Sequence, residues 1–453
     1  WGRWESMLNY IKAELWKVLH RRGVYVLLAL LLLCTALFFM LYSYGGFSSL
    51  AKGISVTMVV AMRYFNSNVT ALAQKQSMFD NIADVDTAVR QQYANIDEAK
   101  LRAALAQAYI SSIDDPYAAY LSHDAYTKAQ AEAEGKMTGV GIDVTLSTEG
   151  KIIATLIHKD SAAEKAGMRK GDVITAVDGT EVKKEDFAAV KSKLENAAKV
   201  LVTVSRDGQP SSFELTASPY VLVSVEERVI GDSVGYIRIR GFHNNTTEQF
   251  KAAYSALEEA GVGSIIFDLR GNTGGTIQSA KDMLSYLLPR GKYASLTDNE
   301  GKVTELVAED LHQMSVPSVT LVNGKTAGEA ELFAGVLQEF QLTTVVGENT
   351  AGKGRIQEFF PLKVDSSAVK LTVAQLSLLQ SGGLEGKGIA PTKLISLTES
   401  QTTDFELLTE TTDPQLKAAL SILTGGAATT PTEPTGGADS TATQATTTTA
   451  AAQ

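Results

Sequence analysis

Residues 24–42, VYVLLALLLLCTALFFMLY, form an apolar run without charge, in which Thr35 is the clearly polar member. As a helix this run is long enough to cross about 30 Å of hydrocarbon, and it predicts one transmembrane helix over 23–44. Residues 53–62, GISVTMVVAM, are too short for a second span and read as part of a helix leaving the membrane. From about 65 to 130 the apolar positions recur at helical spacing, with a break at SSIDDPYAAYLS where Pro116 interrupts the period.

The texture then changes. Between 136 and 218, short β-branched runs (GIDVTL, KIIATLI, VITAV, VLVTVSR, SFELTA) alternate with glycine and aspartate turns around one helical stretch, EDFAAVKSKLENA, which predicts a small β-rich module. From 219 to 400, strand-like runs (VGYIRI, SIIFDL, VTLVN, TVVG) alternate with helical ones (TTEQFKAAYSALEEAG, IQSAKDMLSYLL, EAELFAGVLQEF). That alternation predicts an α/β layer built from crossover units. The threonine-rich end, 425–453, contains no large apolar residue and predicts a disordered tail. The expected order is therefore a cytoplasmic N-terminus (1–22), the span (23–44), a helical region (45–135), the small module (136–218), the α/β core (219–424) and the tail.

Charge adds orientation and excludes some partners. Arg3, Lys12, Lys17, Arg21 and Arg22 precede the apolar run and no charge follows it until Lys52. This bias keeps the N-terminus in the cytoplasm and puts the bulk of the chain outside a bacterial cell membrane; a cleaved signal peptide is the competing reading. The formal net charge is -10, with no basic block in the later nine-tenths of the chain, which argues against nucleic acid as a partner. The lone cysteine, Cys34, lies inside the apolar run, and the five histidines lack metal-ligand spacing. Neither a disulfide framework nor a metal or other cofactor is expected.

MTGVGIDVT, followed by SAAEKAGMRKGDVITAVDG, resembles a PDZ domain. The resemblance implies that the turn Gly139-Val140-Gly141 offers main-chain N–H groups to a peptide's terminal carboxylate. The strand holding Ile142 and Val144 would then take the peptide as an added strand. SIIFDLRGNTGG runs a buried strand into a glycine-rich turn, where ligands approach an open α/β sheet. Together with KTAGEAE (325–331), GKGRIQ (352–357), GYIRIRGF and GKGIAPT, it resembles the carboxyl-terminal processing (tail-specific) serine peptidases over roughly residues 70–400. That family implies an α/β (α+β) peptidase core with an inserted PDZ domain.

Carried over position by position, the resemblance makes Lys353 the general base and Gln357 the residue that orients it. An oxyanion hole is implied at the main chain of Gly274 and Glu329. The nucleophile is expected twenty-five residues before Lys353, and that position is Gly328. Thr326 and Glu331 match the first and last residues of the turn, and Glu329 stands where alanine is common. A protein that binds protein C-termini, with hydrolysis absent or weak, is the expectation. The alternatives are an active Ser/Lys-type peptidase with a displaced nucleophile such as Thr326, or an engineered inactive form of an active enzyme. A homo-oligomer is left open.

Overall fold

The computed structural model describes residues 79–425. The expected span, the residues before it, the segment up to 78 and the tail from 426 onward lie outside the described residues. Among the described residues, no helix is long and apolar enough to cross a membrane. The chain separates into two units, 1–101 and 102–453. Of the first, residues 79–92 are helical, and the helix Glu98–Ser111 begins at its end.

In the second unit, the alternating strands and helices of the α/β layer form one mixed sheet. Its order is Val225–Ile230, Val234–Ile239, Ser264–Asp268, Ser318–Val322, Thr343–Gly347, Lys393–Leu394, antiparallel at the first pair and parallel thereafter. Ser264–Asp268 and Ser318–Val322 are buried at every position, as strands covered on both faces must be. One face packs the helices Thr246–Glu259, Ile277–Leu287 and Glu329–Glu339 through Phe250, Leu284 and Phe333. Phe333 meets Phe267 edge-on, with ring centroids 5.5 Å apart, a contact that adds about 0.5–1.5 kcal/mol beyond area burial. The other face is closed by Leu416 and Ala419 of the helix Pro414–Leu423.

A second, antiparallel sheet lies beside this layer, built on the long strand Ala368–Leu378. Ala119–Leu121, Gly291–Asp298 and Arg355–Pro361 all pair with that strand, and Val303–Ala308 pairs with Gly291–Asp298. Pro116 is thus followed by a short strand inside the region read as helical, because the segment finds a partner about 250 residues away in Val369.

The small module is a sheet in the order Ile142–Leu146, Ile152–Ile157, Val173–Val177, Lys199–Arg206, Gln209–Thr216, with the helices Ala162–Ala166 and Phe187–Asn196. It encloses its own apolar core around Val140, Ile152, Leu194 and Val202. Its stem is the antiparallel pair Lys136–Gly139 and Ser218–Val221. Ile142–Leu146 is an edge strand, and the helix Phe187–Asn196 packs beside it.

Candidate active site

Three loops meet at the C-terminal ends of the parallel strands, where an open sheet leaves a crevice. Residues 269–276 follow Ser264–Asp268, residues 323–328 follow Ser318–Val322, and residues 348–354 follow Thr343–Gly347.

Glu331 joins the second loop to the third. It is fully buried. Its Oε2 accepts the main-chain N–H of Gly328 at 2.9 Å and of Lys353 at 2.8 Å, and its Oε1 accepts that of Gly352 at 2.7 Å and the Thr350 hydroxyl at 2.5 Å. Four donors satisfy a carboxylate that would otherwise be costly to bury. The glycines around Lys353 have a steric cause. A Cβ on Gly354 would lie 2.3 Å from the main-chain nitrogen of Glu385, and one on Gly352 would lie 3.1 Å from residues 386–388.

Gly328 caps the helix Glu329–Glu339 with φ 61° and ψ -121°. This is a strand-to-helix turn of the kind that presents a side chain at the top of a sheet, in a conformation that glycine adopts freely and an L side chain adopts only under strain. A Cβ built there would meet Lys353 Cδ at 3.9 Å and Gly274 Cα at 3.8 Å, ordinary contact distances. Position 328 therefore faces Lys353.

Thr326 points elsewhere. It is fully buried; its hydroxyl donates to Leu269 O at 2.9 Å and accepts the Asn323 N–H at 3.0 Å.

Gly274 and Gln357 are each held by local partners. The Gly274 N–H donates to Asn272 Oδ1 at 2.9 Å, and the Gly275 N–H donates to Glu329 Oε2 at 2.8 Å. Asn272 is itself fixed to Ile239 O, so this turn is set by the neighbouring strand. Gln357 donates to Arg355 O at 2.8 Å, at a bulge between Ile356 and Gln357. A bulge re-aims side chains, and Gln357 is directed along its own strand.

Sequence reasoning missed Tyr117. The Lys353 Nζ lies 5.6 Å from the centroid of the Tyr117 ring, within cation–π range. Asp115 accepts the Tyr117 N–H at 3.1 Å and the Thr372 N–H at 3.2 Å, so the Asp-Pro turn presses the ring over the lysine. The signal was the Pro116 break, but the partner lies far along the chain. Burial and the Glu385 carboxylate push the Tyr117 phenol upward. Burial and the Lys353 charge hold Lys370 below the usual lysine range.

Behind the loops, Arg270 Nη2 reaches Asp268 Oδ2 at 2.5 Å, and Arg270 Nη1 reaches Asp413 Oδ2 at 2.8 Å and Gln415 Oε1 at 2.9 Å. This buried pair anchors the first loop to the C-terminal helix. Among the described residues, no His, Cys, Asp or Glu side chains group in a way that could hold a metal ion.

In the small module, Gly139 lies in the stem, Val140 is fully buried, and Ile142 and Val144 lie on the edge strand. Val140 O and Gly141 O accept the N–H groups of Ala163 and His158. The turn at Gly141 (φ 75°) is fixed against the helix start, and a Cβ there would lie 2.2 Å from Ser161 Cβ.

Residues 233–395 match the sequence model of Peptidase family S41, and residues 153–206 match that of a PDZ domain. The carboxyl-terminal-processing protease of Synechocystis sp. is 33% identical over 70% of this chain and 76% of its own length. The carboxy-terminal processing protease CtpB of Bacillus subtilis is 28% identical over 71% of this chain and 68% of its own. The fold is similar to that of an S41-family structure from Bacteroides fragilis, with a TM-score of 0.54 at 19% identity, covering 70% of this chain and 90% of that one. The chain belongs to peptidase family S41, carries a PDZ domain, and has carboxyl-terminal processing proteases as its relatives.

Proposed function

We propose that this protein captures the C-terminal ends of other proteins through its PDZ groove and leads them to a Lys353 site whose hydrolysis is absent or weak. In this reading Gly328 stands where the nucleophilic serine would be. One observation carries it: a Cβ at Gly328 would face Lys353 Cδ at 3.9 Å, so a hydroxyl at this position would have its base beside it. Thr326 does not replace it, since its hydroxyl is committed to Leu269 O. The apolar run 24–42 would anchor the chain in the cytoplasmic membrane with the peptidase core outside.

The test uses an unfolded protein with an apolar tail as substrate, read by mass spectrometry. The unaltered chain should leave it whole. Gly328→Ser should cleave it, and Gly328→Ser with Lys353→Ala should not. Cleavage by the unaltered chain that depends on Lys353 would overturn the reading.

A further inference from the structure

The Glu329 side chain turns back onto the turn that faces Lys353. It is 6% exposed, and its Oε2 accepts the Gly275 N–H at 2.8 Å. Burial pushes the Glu329 carboxyl above the usual carboxylate range. The glycine pair beneath cannot retreat. Phe242 N–H donates to Gly274 O at 3.0 Å, Thr276 N–H donates to Phe242 O at 2.6 Å, and a Cβ on Gly275 would lie 2.1 Å from Phe242 O.

Two main-chain N–H groups, one from a glycine turn and one following position 328, are the donor pair that would stabilise an oxyanion formed at that position. Here the glycine donor already meets a carboxyl oxygen belonging to the chain, that of Glu329. We propose that the Glu329 side chain is a built-in occupant of the oxyanion hole, so that a peptide carbonyl arriving beside Lys353 finds the glycine donor already taken. This rests on the reading of Gly328 as the nucleophile's place. An arriving carbonyl competes against a group that is tethered one residue away. Restoring a serine alone therefore leaves the glycine donor covered and keeps the gain in cleavage small. Glu329 acts through the donor it covers, as a gating residue.

A fluorophosphonate probe separates this from a simple effect of charge on Lys353. Its phosphoryl oxygen needs the hole as the Oγ of the serine introduced by Gly328→Ser bonds to phosphorus, fluoride leaves and the proton passes to Lys353. Four chains are compared: Gly328→Ser alone and the same change combined with Glu329→Ala, Glu329→Gln or Lys353→Ala. Labelling should be at least about tenfold faster with Glu329→Ala than with Gly328→Ser alone, on the scale of one oxyanion-hole donor. Glu329→Gln removes the charge but keeps an oxygen over the donor, so it should stay well below Glu329→Ala, with the pH profile of labelling unmoved. Equal rates for Gln and Ala, or a shifted profile, would assign the effect to charge and overturn the proposal. Absence of labelling in all four chains would instead overturn the reading of position 328.

A second measurement is independent of that position. In the chain with Gly328 unchanged, Glu329→Ala should speed hydrogen exchange at the Gly275 amide at least about tenfold, since it loses its acceptor. An unchanged exchange rate would overturn the occupancy.

Discussion

Glu331 Oε2 accepts the Lys353 N–H at 2.8 Å and, with the same oxygen, the Gly328 N–H at 2.9 Å. One buried carboxylate thus sets the separation between the two positions on which the proposed chemistry depends. Glu331→Gln keeps the shape but turns an NH2 group toward donors that need an acceptor. It should cost about 1.5–3 kcal/mol, seen as a lower urea midpoint at unchanged slope. A loss below about 0.5 kcal/mol would remove Glu331 from this role.

The PDZ groove predicts a preference for a free C-terminus. A peptide with an apolar terminal residue should bind more tightly than its C-terminal amide by about 1.5–3 kcal/mol, the scale of hydrogen bonds to a charged group. Gly141→Ala should weaken both, because its Cβ would lie 2.2 Å from Ser161 Cβ in a left-handed turn. Calorimetric titration checks both statements, and equal affinity for acid and amide would discard the carboxylate contact.

The Asp268–Arg270 pair predicts acid lability. Burial opposes ionisation of Asp268, but the Arg270 guanidinium overcomes it and holds the carboxyl well below the usual range. A depressed folded-state pKa stabilises the protein above the unfolded value, about 3.9, and that stability is lost as pH falls from there toward the folded value. Asp268→Asn should destabilise the protein at pH 7 by less than the about 3–5 kcal/mol of a buried charge left unpaired, because Arg270 keeps Asp413 as a partner. Its stability should then fall less steeply below about pH 4 than that of the unaltered chain. Parallel acid unfolding curves would contradict the assignment.

The charge asymmetry around residues 24–42 predicts that protease added to intact spheroplasts removes the chain beyond about residue 50. Protection of the PDZ and peptidase regions would contradict an outward-facing anchor.

The local periodicities were legible without coordinates. The short apolar run Ile265–Phe267 and the apolar-rich stretch EAELFAGVLQE mark a buried strand and a buried helix in consecutive residues, because elements covered on every side select apolar side chains locally. The approach of Gly328 to Lys353 was also within reach, since family motifs at fixed spacing mark both loops. The second sheet was not: in Ala368–Leu378 most positions are half-buried, so the two-residue alternation blurs, and the strand exists through partners at Ala119, Ala294 and Arg355. The partner of the Gly274 N–H depended on Asn272 bonding to Ile239 O, a contact between segments with no common local pattern. Tyr117 over Lys353 and Glu329 over Gly275 were likewise decided by tertiary structure, because the direction of a side chain follows from what packs around it after the chain has closed.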